Sequence, residues 1–346
     1  MLDSSVGGRV RSISVTTSRL IRTLVRTAVA VPAGLLLGLL PLTSGPASSG
    51  VLLAPYVPRS PHQAYGYALT QTRLSRNPLA LQWLDAGEQA LLEPERLTAP
   101  FEVLRTFSAA APAAAGYGFA VRDGQRVQLH AAGPTNAGRE LFVELYRATP
   151  RGLEYVASSL PTAADAAPPP LTIEALEAAD YVLRVQPGLA SPANETAPSD
   201  YAVQVHVQTS PLLAFPVQGA DGRAIWSGFG AERDGGARAH RGVDIFAPRG
   251  TAVLAATDAW VTRVDATPRG GNIVWLQPLF GNMRLYYAHL DQQFVERGQF
   301  VLAGERIGSV GNTGNARTTP PHLHFGVYVR QRGVRGGARD PVTFLR

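Results

Sequence analysis

The 346-residue sequence contains no cysteine. That excludes disulfide staples, a thiolate nucleophile and a lipid-bearing cysteine. Lysine is absent as well, so all 32 basic residues are arginine, which reads as a compositional bias of the genome rather than a functional signal. Only two methionines occur, Met1 and Met283, so a start downstream of Met1 would need a different initiation codon. No apolar run reaches the about 20 residues that a membrane-spanning helix requires. Charged residues are sparse at 17% against 45% hydrophobic, the balance of a soluble globular protein with an ample core. A length of 346 residues predicts two or three domains.

Charge and composition divide the chain. Residues 1–50 carry a net charge of +4, residues 51–212 of −4 and residues 213–346 of +6. In 1–50, Arg9, Arg11, Arg19, Arg22 and Arg26 precede an apolar run from Thr27 to Leu42, broken by Pro32 and Pro41, and small residues follow from Ser44 to Gly50. This is the layout of a signal peptide or uncleaved signal-anchor, with a leader longer than usual. It predicts an exported protein, periplasmic, in the cell envelope or secreted, that meets the membrane only through this segment. Residues 51–107 are expected to be helical, with Asn77-Pro78 starting a helix and Ala80, Leu84, Gly87 and Leu91 on its packed face beside Trp83. Ser108 to Gly116 is a candidate linker. Residues 108–212 predict a small β-sandwich accessory domain. Its strands fall at 117–122, 126–131, 140–148, 153–159, 171–176, 180–187 and 200–208, with a hairpin turn at Asp123-Gly124. His62, His130 and His206 sit in no motif and are expected to be structural.

The remaining four of the seven histidines cluster in 213–346. They lie in His240-Arg241-Gly242-Val243-Asp244, in Tyr287-Ala288-His289-Leu290 and in Pro321-His322-Leu323-His324-Phe325. Zinc takes imidazole nitrogen and carboxylate oxygen, and catalytic zinc keeps one position open. His240, Asp244 and one histidine of the final pair would supply three ligands. Phe325, Val327 and Val329 continue an extended pattern past that pair, and residues two apart on a strand share a face. Both imidazoles then reach one cavity, one able to bind metal and the other free for proton transfer. Further strands are expected at 253–256, 273–276, 284–287 and 325–329, separated by Gly-rich turns.

These segments resemble the M23 peptidases, the LytM/lysostaphin-type zinc metallopeptidases, whose pattern is His-x-x-x-Asp, a histidine after a strand, then His-x-His. The flanks agree: Asp244-Ile245-Phe246-Ala247-Pro248-Arg249-Gly250-Thr251, Gly298-Gln299 and Gly308-Ser309-Val310-Gly311-Asn312-Thr313-Gly314. The resemblance covers about 213–346. Ala259 stands where the family commonly has Gly, and Thr319-Pro320-Pro321 replaces its Thr-Gly-Pro; neither removes a ligand. The resemblance implies that 213–346 is an antiparallel sheet with a catalytic groove across it, so the chain as a whole reads as a mostly β, multidomain protein in which this sheet follows the small β-sandwich and the short helical region. It implies one Zn2+ ion on His240, Asp244 and His324, His322 as general base, and His289 hydrogen-bonding the water or the oxyanion. Asn272 and Tyr287 are the candidates for lining the groove and binding substrate.

The expected activity is zinc-dependent endopeptidase cleavage of cell-wall peptidoglycan peptides. The alternative is a non-catalytic LytM-like regulator that binds and activates another wall hydrolase. A basic 213–346 surface suits an anionic polymer. Carboxylate-rich peptidoglycan fits better than nucleic acid, for which no motif occurs and the arginines are scattered; a merely solvated surface fits most of these arginines equally well.

Overall fold

Apolar residues give most strands at least one face to bury, and here those faces meet in two separate β cores. A computed structural model describes residues 58–71, 76–108, 110–133, 140–159, 170–189, 200–280, 282–330 and 337–345. The Arg-rich leader over 1–50 and most of the loops 161–170 and 188–199 lie outside the described residues. Among those described, no helix is long and apolar enough to cross a membrane.

Two helices come first, α1 (Pro61–Gln71) and α2 (Pro78–Leu92). Asn77 caps α2 by accepting a hydrogen bond from the Leu79 N–H, and Pro78 occupies the first turn, where no donor is needed. The buried face of α2 is Ala80, Trp83, Gly87 and Ala90, centred on Trp83 rather than on the Leu84 and Leu91 stripe. The helical reading of 51–107 fails beyond Leu92. Strand β1 (Glu95–Arg96) and strand β2 (Phe101–Phe107) follow. Long-range pairing overrides local preference there, because β2 is zipped along its full length to a distant strand, from Phe101↔Val207 to Phe107↔Tyr201.

The seven strands expected between 117 and 208 all form, with ends moved by no more than three residues. They are β3 (Ala115–Val121), β4 (Gln125–Ala132), β5 (Leu141–Thr149), β6 (Gly152–Ser158), β7 (Leu171–Ala175), β8 (Ala179–Pro187) and β9 (Tyr201–Pro211). Sheet β1-β3-β8-β5-β6 faces sheet β2-β9-β4-β7 across one shared core. Helices α1 and α2 pack on the outer face of the five-stranded sheet, with Trp83 against Phe142.

The rest of the chain builds one larger sheet and a separate two-stranded hairpin. The strands are β10 (Ile225–Ser227), β11 (Glu232–Arg233), β12 (Arg238–Ala239), β13 (Val243–Phe246), β14 (Ala252–Leu254), β15 (Ala259–Thr267), β16 (Gly271–Pro278), β17 (Met283–Gln293), β18 (Phe300–Val301), β19 (Arg306–Val310), β20 (His322–Val329) and β21 (Gly337–Arg339), closed by α3 (Val342–Leu345). The order is β10-β13-β20-β17-β16-β15-β18, with β19 joining β14 and β17 and β21 lying beside β20. All these pairs are antiparallel. The β11–β12 hairpin stands apart as its own two-stranded sheet. The sandwich docks through the hairpin turn at Asp123-Gly124. Gly124 has φ +76°, and a Cβ there would meet the Thr343 carbonyl oxygen at 2.3 Å, so only glycine fits this approach.

Candidate metal centre

Three neighbouring strands carry the motif residues. Asp244 on β13 lies directly opposite His324 on β20, and Ala288 on β17 pairs with His324 from the other side. His240 ends the turn before β13. Its N–H donates to Ala231 O and its carbonyl accepts from Gly230 N–H. Gly242 permits the crossing, since a Cβ there would strike Phe325 O at 2.4 Å and the His324 ring at 2.9 Å.

Three atoms converge: His240 Nε2, Asp244 Oδ1 and His324 Nδ1. They stand 2.9, 3.1 and 3.0 Å apart in pairs. Two imidazole nitrogens and a carboxylate oxygen this close either share protons or share a cation. Zinc bonds of about 2.0–2.1 Å in a tetrahedron place ligand atoms about 3.3 Å apart, so this triangle fits after a slight opening. Mixed nitrogen and oxygen donors suit zinc. These three residues also form the metal-capable group found among the described residues. Burial opposes ionisation of Asp244, but hydrogen bonds from His240 and His324 and their charges hold its carboxyl well below the usual carboxylate range.

Partners outside the triangle orient these ligands. His240 Nδ1–H donates to Gly228 O at 2.9 Å, which leaves Nε2 to face the centre. Arg233 of β11 donates to Asp244 Oδ2 at 2.8 Å and to Ser227 Oγ, so Oδ1 stays turned inward. The same guanidinium nitrogen lies 3.0 Å from His240 Nδ1, a close approach of two donors rather than a bond. Arg233 carried no sequence signal, for its two-residue strand shows no period.

The other two histidines present free nitrogens. His322 donates Nδ1–H to Pro320 O at 2.9 Å, and its Nε2 lies 4.0 Å from Asp244 Oδ1. Any residue at 320 could supply that carbonyl, so the Pro320 departure leaves the contact intact. His289 donates Nδ1–H to Thr313 O at 2.9 Å. The rings of His289 and His322 stand 5.1 Å apart, edge to face. Burial first, then the charges of His322 and His324, lower the His289 pKa to about 4, so its imidazole is neutral at pH 7.

Local backbone places His289. Strand β17 pairs with β20 as far as Ala288 and with β19 from Leu290 onward. His289 sits at that change of partner with φ +63°, a left-handed conformation that non-glycine residues rarely adopt. Its N–H donates to Gly270 O. The 308–314 segment serves both histidines, through Thr313 O for His289 and through Gly311 O for the His322 N–H.

The two expected substrate residues do not reach the groove. Tyr287 is fully buried, its ring against Phe325 and its hydroxyl accepting from the Ala256 N–H. Strand alternation turns Tyr286 outward instead, with its ring 5.7 Å from that of His324. The Asn272 amide donates to Leu290 O and Asp291 O, where it clamps the chain just after His289. The groove above the centre, about 850 Å³, is lined by residues between Ser227 and Tyr328, and no described residue of the sandwich borders it.

Residues 238–336 match the profile of peptidase family M23. The peptidoglycan DD-endopeptidase ShyA of Vibrio cholerae is 43% identical over 96 residues, 28% of this chain and 21% of its own length. The L-Ala--D-Glu endopeptidase of Bacillus subtilis is 34% identical over 131 residues, 36% of this chain and 39% of its own. This chain thus spans between about a fifth and two fifths of those relatives. Among solved structures, the lysostaphin catalytic domain of Staphylococcus simulans is 36% identical over 34% of this chain and 87% of that domain, with a TM-score of 0.31. A zinc-containing peptidase from Vibrio cholerae is 32% identical over 38% of this chain and 39% of its own, with a TM-score of 0.32.

Proposed function

With residues 238–336 belonging to peptidase family M23, we propose that the protein is an exported, zinc-dependent endopeptidase that hydrolyses peptide bonds of cell-wall peptidoglycan. The observation that carries this reading is the triangle of His240 Nε2, Asp244 Oδ1 and His324 Nδ1, with sides of 2.9–3.1 Å, beside two further imidazoles. The names of the matching relatives supply the substrate class.

His240, Asp244 and His324 would hold one zinc ion. When bound, zinc supplies Lewis-acid polarisation and brings the pKa of a water near 7. Every other step falls to side chains. His322, with Nδ1–H bound to Pro320 O, keeps its lone pair on Nε2 and takes the proton of the attacking water there. The resulting imidazolium returns that proton to the leaving amine. His289 is neutral and its Nε2 is an acceptor, so it orients the water and can donate to an oxyanion only after gaining a proton. The products are a carboxylate and an amine.

The test uses full-length protein, with zinc measured by plasma emission and new amino groups counted on peptidoglycan of several chemotypes. One zinc per chain and amine release are expected. Zinc-loaded protein that releases no amine from any wall would overturn the enzyme reading in favour of a regulator.

A further inference from the structure

The groove does not stop at the histidines. Strand alternation puts His322, His324, Gly326, Tyr328 and, just past the strand, Arg330 on one face of β20. On β17 the same face carries Arg284, Tyr286 and Ala288, and Arg284 is the register partner of Tyr328. Trp275 of β16 completes a contiguous aromatic floor, its ring 4.5 Å from Tyr286 and 5.3 Å from Tyr328. A second cavity of about 220 Å³, lined by Arg284 and Arg330, shares Trp275 and Tyr328 with the groove. From His324 to Arg330 the strand rises six residues, or about 20 Å.

The unpaired charge along this track has one sign. Within the groove, Arg233 is paired with Asp244 and Arg238 with Asp234. Arg241 and Arg269 also line it, and both are exposed. No acidic residue lines the second cavity. Among the described residues, no ion pair joins Arg241, Arg269, Arg284 or Arg330 to an acid. Four unmatched guanidiniums beside an aromatic floor suit an extended chain whose carboxylates they bind while its backbone and apolar atoms lie on the rings.

We propose that this face is the substrate track on one side of the scissile bond. Arg284 and Arg330 along that track, with Arg241 and Arg269 at the histidine end of the groove, select a peptide bearing free carboxylates. This rests on the peptidase reading above and names the chemistry that reading leaves open: free side-chain or terminal carboxylates, as against amidated ones.

The test is equilibrium binding to the full chain in chelator, which prevents hydrolysis, with circular dichroism confirming the fold. The probes are cross-linked muropeptide dimers with free carboxylates and the same dimers with those carboxylates converted to amides. The free acid is expected to bind on the order of 10-fold tighter at low salt, the gap narrowing as salt rises. Arg284→Gln with Arg330→Gln, and separately Arg241→Gln with Arg269→Gln, should each shrink that gap. Arg→Lys at the same positions should retain part of it, because charge is kept and the bidentate fork is lost. Trp275→Ala should weaken both probes alike. Equal binding of the two forms, binding of neither, or a full gap in all the Gln variants overturns the proposal. A separate zinc-loaded digestion that releases no amine from either probe overturns the peptidase reading and leaves the binding result to stand.

Discussion

Two histidines two positions apart on one strand face can differ completely in role. His324 places Nδ1 3.0 Å from Asp244 Oδ1 and 2.9 Å from His240 Nε2, inside the ligand triangle. His322 holds Nε2 4.0 Å from the same oxygen, outside bonding range, and its ring is stacked on Phe246 at 4.9 Å. Phe246 is itself covered by the exposed Trp226, stacked at 4.8 Å, so the His322 ring is braced from the solvent side. The expected outcome is a split. His324→Ala, His240→Ala and Asp244→Ala should lose zinc and activity together. His322→Ala and His289→Ala should keep near-stoichiometric zinc while hydrolysis falls about 10²–10⁴-fold. Metal content and rate measured on the same preparations decide it. A His322→Ala protein that is empty beside a zinc-bound His324→Ala protein would reverse the roles.

At the level of elements, helix α1 is tied to the sandwich by a buried polar network. His62 Nε2–H donates to Gln186 Oε1 at 2.6 Å, and Arg184 donates to His62 Nδ1 at 2.9 Å. Arg184 also binds Glu144, and the His62 ring stacks on Trp83. Burial, then the Arg184 charge, lowers the His62 pKa to about 4, against the partly compensating Glu144 charge and Gln186 bond. The unfolded chain, with an ordinary histidine, takes up the proton near 6.5. The contribution is therefore complete above about pH 6.5 and is lost as pH falls toward 4, with about 2 kcal/mol gone by pH 5. Thermal unfolding should show the wild type losing more stability than His62→Gln between pH 7 and pH 5. Parallel losses in both proteins would remove His62 from that account.

For the molecule as a whole, the ligands join β13, β20 and the turn before β13, so metal binding ties together segments about 80 residues apart in the chain. A cation that binds only the folded state stabilises it by about 4 kcal/mol at 1,000 times its dissociation constant. Calorimetry of the full chain with and without chelator should show one transition, that of the C-terminal sheet, fall by roughly 10 °C. The transition of the sandwich should move little, since no described residue of 58–212 borders the groove. Superimposable scans from protein first shown to contain zinc would contradict the proposed metal centre.

What could be known from the residues alone followed their short-range periods. Alternation at 141–146 and 181–186 marked sandwich strands, Asn77-Pro78 marked a helix start, and His322-Leu323-His324 put two imidazoles on one face because a strand repeats every two residues. The spacing of His240 and Asp244 named a metal chemistry. Tyr287 failed by one step of the same period: two adjacent tyrosines point to opposite faces, and only the register of β17 against β16 and β20 says that Tyr286 is the one in the groove. Asn272 became a backbone clamp because β17 bulges where it changes partners, and no local pattern announces a bulge. Residues 101–107 became strand because β9, about 100 positions away, pairs with them. Arg233 joined Asp244 from a two-residue strand for the same reason: its role is set by what the fold brings beside it, not by its neighbours in sequence.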